Sequence, residues 1–210
     1  MSDSTAGRRR QAARNDETIL AAAREVFIAD AKAPMAAVAE RAGVGMSALY
    51  RRYTGKDDLL RTLCHDGLRL YIAEAERAAA EPDGWTAFAA FLGAVVDADV
   101  HSLTVHLAGT FRPTAEMYAD AVVAGERTAA LFDRVRGALR EGVTVDDVSM
   151  LLEMCAAIRL PDPARTMELR RRYLALLLDG LRVDGLLPGP PPTGAEITRR
   201  WRQGAAEAGG

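Results

Sequence analysis

The chain has 210 residues, 49% of them hydrophobic and 27% charged, with a formal net charge of −2 at pH 7, which is typical of a globular protein with one small and one medium domain. No apolar run approaches the roughly 20 residues that span a bilayer, and the first residues lack the apolar segment of a secretory signal. The cysteines, Cys64 and Cys155, lie in apolar helical patterns, so we expect buried, reduced thiols in a cytoplasmic protein that binds no membrane.

The first predicted element is a flexible basic arm, residues 1–14. Its arginines are Arg8, Arg9, Arg10 and Arg14. Residues 1–62 carry 11 Arg and Lys against 8 Asp and Glu, a net of +3, whereas residues 63–210 carry 16 against 21, a net of −5. A basic small domain on an acidic large one suits a protein that meets DNA at one end. The arm either follows phosphates or a minor groove, or is only a solvated tail.

Three helices are predicted after this arm. The first covers residues 16–29 and can be capped by Asn15 or Asp16. Two short helices follow over residues 35–42 and 46–53, with a tight turn between them. Two short helices in this arrangement are typical of a helix-turn-helix, whose second helix enters the major groove of DNA.

The turn and the second short helix carry the details of this motif. Gly43 can adopt the left-handed conformation that ends a helix, and Val44 can fill the gap between the helices. Leu49 and Tyr53, four residues apart, give the second helix a buried stripe. The groove-facing side chains are then Met46, Ser47, Ala48, Tyr50, Arg51, Arg52 and, at the start of the next helix, Lys56.

Four polar members of this set have a predicted role, and two of them, Tyr50 and Arg52, also have an alternative one. The ring and hydroxyl of Tyr50 suit a thymine methyl or a phosphate, and the alternative is a core ring in place of Tyr53. Arg51 and Arg52 can fork onto a guanine edge or clamp a phosphate, and the alternative for Arg52 is a solvated helix surface. Lys56 adds a point charge at a helix start, where phosphate binds well.

The run Ala39-x-x-Ala42-Gly43-Val44-x-x-x-x-Leu49-Tyr50-x-x-Tyr53-x-x-Lys56-x-x-Leu59-Leu60 resembles the amino-terminal domain of TetR-type (tetracycline-repressor-like) transcriptional regulators. The resemblance covers roughly a quarter of the chain and implies DNA contacts at Tyr50 and Lys56. It implies an all-α fold, in which an amino-terminal three-helix DNA-binding domain (15–62) precedes a larger helical ligand-binding and dimerisation domain (63–184).

The remaining elements are also predicted as helices, because no segment alternates long enough for a strand. Their ranges are 57–80, 84–100, 101–110, 114–141, 146–160 and 164–182. Residues 185–210 form a tail rich in proline and glycine, which forbids a continuing helix over its first part. Residues 195–202 are compatible with one further short helix, docked through Trp201.

The last two predicted helices are apolar on more than one side, so we expect them to be buried on more than one side. TetR-type proteins dimerise through such a carboxy-terminal helix pair; the alternative is burial inside one chain. The predicted homodimer interface comprises Val148, Leu151, Leu152, Cys155, Tyr173, Leu174, Leu177, Leu178 and Leu181. A second apolar face of the first of these helices carries Met150, Met154 and Ala157.

The resemblance also implies a small-molecule pocket between the helices of the large domain. Apolar residues with a few polar ones suit a largely apolar effector, and the alternative for each residue is ordinary core packing. The candidates are Trp85, Phe88, Phe91, Leu92, Val95, His101, Leu103, His106, Leu107, Phe111, Met117, Tyr118, Met150 and Met154. The spacing of His101 and His106 does not suit a metal site, and no cofactor is predicted.

These patterns predict a bacterial-type repressor that binds a double-stranded palindromic operator as a homodimer at the nucleoid and is released by an unknown small effector. The alternative is a helical protein-interaction module without specific DNA binding. Catalysis is disfavoured, because the chain has three histidines and no phosphate-binding loop, His-Glu-x-x-His pattern or nucleophile elbow.

Overall fold

The computed structural model of the chain describes residues 3–197, apart from the side chains of residues 3–14, 104 and 105. Over this range the chain forms helices and no strand, which confirms the all-α prediction. In chain order the helices are α1 (Asp3–Ala29), α2 (Met35–Ala42), α3 (Met46–Arg52), α4 (Lys56–Ala79), α5 (Gly84–Asp97), α6 (Val100–Leu107), α7 (Ala115–Val135), a 3₁₀ turn (Arg136–Ala138), α8 (Val145–Ala157) and α9 (Pro163–Gly180).

The predicted start of the first helix is wrong. Because α1 begins at Asp3, the backbone of the expected flexible arm is helical from that residue, and Asn15 and Asp16 lie inside the helix. The physical reason is composition, since this stretch is rich in Arg and Ala and has no proline to stop a helix. The arginine side chains of the arm and Trp201 of the tail lie outside the part that is described.

Several other helix boundaries also differ from the predicted ones. The seventh helix ends at Val135, well before residue 141, because the chain tightens into the 3₁₀ turn. α8 begins at Val145, one residue before its predicted start, and its capping residue is Thr144. The backbone N–H of Thr144 donates to Asp147 Oδ2 at 2.7 Å, and this reciprocal arrangement fixes the start of the helix.

Two hydrophobic cores hold the helices together. The first lies among α1, α2, α3 and the start of α4, and α6 and α7 complete it through Leu103, Leu107 and Met117. The second fills the larger domain, where Phe88 packs edge to face with Phe132 at a centroid distance of 6.4 Å. α4 packs against α5, α6 and α7 and contributes to both cores. The domain boundary predicted at residue 62 therefore falls inside one continuous helix.

A buried polar junction joins the two cores at the corner between α5 and α6. Asp99 has a left-handed backbone (φ 52°), and its carboxylate accepts hydrogen bonds from the Ser102 hydroxyl and the Arg170 guanidinium. The backbone oxygens of Ala98 and Asp99 accept from Arg24 on α1. The amino-terminal domain is thereby connected to α9 through the loop residues Ala98 and Asp99.

Among the described helices, none is long and apolar enough to cross a membrane.

Candidate nucleic-acid interface

The turn between α2 and α3 has the geometry that the sequence predicts. Gly43 adopts the left-handed conformation (φ 65°, ψ 30°), and its N–H donates to the Glu40 oxygen at 3.1 Å. The N–H of Val44 donates to the Ala39 oxygen at 3.0 Å, which satisfies another carbonyl of the helix end. Two short helices meet here in the order and spacing of a helix-turn-helix.

The inner side of α3 is fixed by two residues. Leu49 is fully buried and Tyr53 is 7% exposed, as their spacing predicts. Burial raises the pKa of the Tyr53 hydroxyl above its usual value, with a smaller contribution from the nearby Asp16 carboxylate. Tyr53 is therefore the core ring, and the alternative of a buried Tyr50 is excluded because that ring is 51% exposed.

The outer side of α3 is open to solvent. Ala48 is half-buried, and the exposed residues of this surface, which we call the reading face, are Met46, Ser47, Tyr50 and Arg51. These side chains offer apolar contact, hydroxyl groups and one guanidinium. That combination can contact base edges and phosphates in a major groove.

Arg52 is exposed, as one of its two interpretations predicts, but its side chain is also engaged within the chain. Its predicted DNA contact stays a prediction. Its guanidinium forms a two-point ion pair with the carboxylate of Asp16 on α1. The sequence suggested Asp16 only as a helix cap. No local pattern marks this pair, because its two residues are 36 positions apart.

Lys56 also makes internal contacts that the sequence did not reveal. Its ammonium group donates to the backbone oxygen of Ala33 at 2.8 Å and lies 5.1 Å from the centroid of the Phe27 ring. Burial lowers the pKa of the Lys56 ammonium group below its usual value. Lys56 therefore holds α4 against the loop that precedes α2, and its predicted phosphate contact stays a prediction.

The residues predicted for a ligand pocket are not gathered around one cavity. Phe88, Phe91, Leu92 and Val95 are fully buried in the second core, and Leu103, Leu107, Phe111 and Met117 belong to the first. Trp85 lies under the Arg182 guanidinium, and His106 Nδ1 lies 2.8 Å from the Ser102 oxygen. Exposed side chains in the set are Tyr118, Met150 and Met154. Most of these residues therefore serve core packing or the surface.

A small cavity does lie at the polar junction, with room for little more than one water molecule. Of the predicted pocket residues, it is lined by Val95 and His101. Its charged lining residues are Asp99 and Arg170. Arg170 is 4% exposed, and its burial was not predicted from the sequence. The sequence does contain a signal for the burial of Arg170, because this residue lies on the apolar stripe of α9, three residues after Met167 and four before Leu174.

The structure also corrects the predicted dimer interface. Five of its residues are buried inside the chain and cannot meet a second copy while the core is intact: Val148, Leu152, Cys155, Leu174 and Leu181. Leu151, Leu177 and Leu178 are half-buried against the same core. The physical reason is that the side of α8 and α9 with the most apolar residues packs inside the chain, against α5. The exposed apolar side chains of these two helices are Met150, Met154, Tyr173 and Leu176, and Leu160 in the loop between them is exposed as well.

Comparison with known proteins agrees with this geometry. Residues 19–63 match the model of the family described as bacterial regulatory proteins, tetR family. No curated protein matches the chain.

Solved structures match over most of the chain. The TetR-family regulator PfmR from Thermus thermophilus is 23% identical, with a TM-score of 0.60 over 81% of this chain and 96% of its own. The TetR-like regulator LfrR from Mycobacterium smegmatis, solved with proflavine, is 23% identical, with a TM-score of 0.64 over 84% and 99%. The regulator SCO0520 from Streptomyces coelicolor is 24% identical, with a TM-score of 0.55 over 80% and 98%. At these identities the likeness establishes the fold.

The fold and the exposed α3 define a helix-turn-helix DNA-binding protein. The family match shows that residues 19–63 form a domain of the tetR family of bacterial regulatory proteins, and the rest of the chain shares the fold of the solved TetR-type regulators.

Proposed function

We propose that the chain is a dimeric repressor that reads a palindromic operator through α3 and leaves it when a small, largely apolar effector binds. The observation that carries this proposal is the reading face, where Tyr50 and Arg51 are exposed beside a fully buried Leu49. Because the inner side of α3 is fixed in the core, its outer side is presented in one orientation. A fixed orientation is what direct readout of base edges requires.

Dimerisation is supported by the outward apolar residues of α8 and α9. Met154 is 50% exposed, Tyr173 is 47% exposed and Leu176 is 56% exposed. A second copy packed on this face would cover them in a four-helix arrangement, with a two-fold axis between the copies. Two α3 helices related by that axis would read two half-sites of an inverted repeat.

Two observations support the proposed effector. One structure with the same fold, LfrR, was solved with proflavine. In this chain α4 contributes to both cores, so a ligand that changes the packing of the larger domain would shift α4 and the spacing of the two α3 helices. The effector can release DNA only through its differential affinity for the two arrangements.

A selection of genomic fragments at fixed salt tests the proposal. The full chain is incubated with a fragment pool, the retained DNA is sequenced, and the best site is tested again with Arg51→Ala. We expect enrichment of a short inverted repeat and loss of binding in Arg51→Ala. Arg127→Ala on α7, which removes an exposed arginine far along the chain, should bind as the wild type does. Retention of no sequence above a scrambled pool would contradict the proposal.

A further inference from the structure

Asp16 and Arg52 meet beside the reading face in a geometry that occupies both groups. Arg52 Nε donates to Asp16 Oδ1, and a terminal guanidinium nitrogen of Arg52 contacts Asp16 Oδ2. Such a fork between two planar groups is the strong form of an ion pair. The Arg52 side chain is 31% exposed and the Asp16 side chain 37%, so solvent reaches the pair only in part. Arg52 is thereby turned toward α1 in the free protein.

The pair lies against the inner anchor of α3. Tyr53, which is 7% exposed, directly follows Arg52 in the chain. Since α3 has 7 residues, it is too short to be stable alone and depends on such contacts for its orientation.

The neighbouring arginine provides a contrast. Arg51 is exposed, and no described residue is its partner. Each cation that neutralises a DNA phosphate adds affinity for any sequence, through the release of counterions. An arginine that is paired with a carboxylate, such as Arg52, does not make this contribution, whereas Arg51 can make it.

We propose that Asp16 is a specificity-determining residue: by holding Arg52 against α1, it fixes the carboxyl end of α3 and withholds one cation from DNA phosphates. The effect is lower affinity for DNA of arbitrary sequence, and therefore a larger ratio of operator binding to non-specific binding. The inference rests on the proposed function, because it assumes that α3 lies on DNA.

The test measures the salt dependence of binding to a random-sequence duplex. Full-length wild type, Asp16→Asn, Arg52→Gln and the double variant are titrated by fluorescence anisotropy at a series of NaCl concentrations. For Asp16→Asn we expect tighter binding and a plot of log K against log salt that is steeper by about 0.9, the slope of one further phosphate contact. The slope measured for Arg52→Gln should be no shallower than that of the wild type. The double variant should return to the wild-type slope, since the freed cation is then absent.

Glu17→Gln is the matched control. It removes the same charge one residue away on α1, at an exposed position that releases no arginine among the described residues. A slope that steepens equally in Glu17→Gln and Asp16→Asn would overturn the inference, because simple loss of negative charge would then explain it. A slope that becomes shallower by about 0.9 in Arg52→Gln would also overturn it, because Arg52 would already contact phosphate in the wild type.

The same titrations separate the two proposals. Wild-type protein that binds neither the random duplex nor a selected operator at low salt contradicts the proposed function and, with it, this inference. Wild-type binding with normal salt dependence and an identical slope in all variants contradicts only the role of Asp16. Equal helical circular dichroism across the variants confirms that folded proteins are compared.

Discussion

Arg170 on α9 donates to the carboxylate of Asp99, which joins the last long helix to the corner between α5 and α6. The Arg170 side chain is almost fully buried, and it also donates to the backbone oxygens of Ala156 and Ile158, each at 3.0 Å. A buried charge is tolerated only when it is paired and its remaining donors are satisfied. Because Arg24 on α1 reaches the same loop, this corner sets how the amino-terminal domain sits on the rest of the chain.

Asp99→Ala should be strongly destabilising. The change leaves the Arg170 guanidinium buried without its counter-charge, and we expect a loss of about 3 kcal/mol in the free energy of unfolding, measured by urea denaturation. Asp97→Ala is the control, since Asp97 pairs with Arg171 at 2.6 Å on an exposed surface. That variant should lose less than about 1 kcal/mol. Losses of similar size in the two variants would contradict the role assigned to Asp99.

The contrast between local and distant contacts shows how far the sequence predicts this molecule. The left-handed turn at Gly43 and the burial of Leu49 and Tyr53 were predicted correctly, because turn chemistry and helical periodicity act over a few residues. The ion pairs of Arg52 and Arg170 were not predicted, because their acidic partners are 36 and 71 positions away in the chain. A sequence shows that a charge needs a partner, but the fold decides which one it finds.

The large domain shows a second limit of sequence reasoning. Periodicity indicates that α8 has an apolar stripe through Leu152, but not whether its own chain or a second copy covers that stripe. The structure shows that the chain itself covers it, and leaves Met154 exposed on the other side. A pocket is harder still to predict, because core residues and ligand-contacting residues have the same composition.

Acid pH should weaken the start of α5 through Asp83. The Asp83 carboxylate accepts the Thr86 N–H at 2.8 Å as the helix cap. Hydrogen bonding from the Thr86 side chain and from the Thr86 backbone N–H holds the pKa of Asp83 below its usual value. Since the folded pKa is the lower one, the stabilisation is present above the unfolded pKa, about 3.9, and is lost as the pH falls through the folded value.

Asp83→Asn separates the charge from the cap, because asparagine keeps an acceptor oxygen but does not titrate in this range. We expect the stability of the wild type relative to Asp83→Asn to fall as the pH is lowered from 5 to 2, as measured by thermal unfolding at each pH. A constant difference over this range would show that the Asp83 charge does not contribute.

Met154→Glu and Leu152→Ala should separate dimerisation from folding. Met154 is exposed on the outward face of α8, so a carboxylate there should weaken self-association with little change in monomer stability. Leu152 is 1% exposed in the core, and its truncation should cost about 2–5 kcal/mol of unfolding free energy. Sedimentation equilibrium and urea denaturation measure the two effects. Unchanged association in Met154→Glu would argue against this face as the interface.

The helix-turn-helix offers a test in which two similar changes should have different results. Gly43 has φ 65°, and a methyl group added there would meet no atom within 4 Å, so the cost of Gly43→Ala is backbone strain alone. That strain is about 1–2 kcal/mol for a residue with a Cβ in the left-handed region. Gly45, two residues later, has φ −71° and the same open surroundings.

Gly45→Ala should therefore lose less stability than Gly43→Ala, and what it does lose should come from the poorer helix cap. If the strain at Gly43 also tilts α3, Gly43→Ala should bind the selected operator more weakly than Gly45→Ala does. Urea denaturation and operator titration at fixed salt measure the two properties on the same preparations. Equal stability of the two variants would mean that the turn relaxes to accept a side chain, and that the left-handed conformation of Gly43 is not what fixes α3.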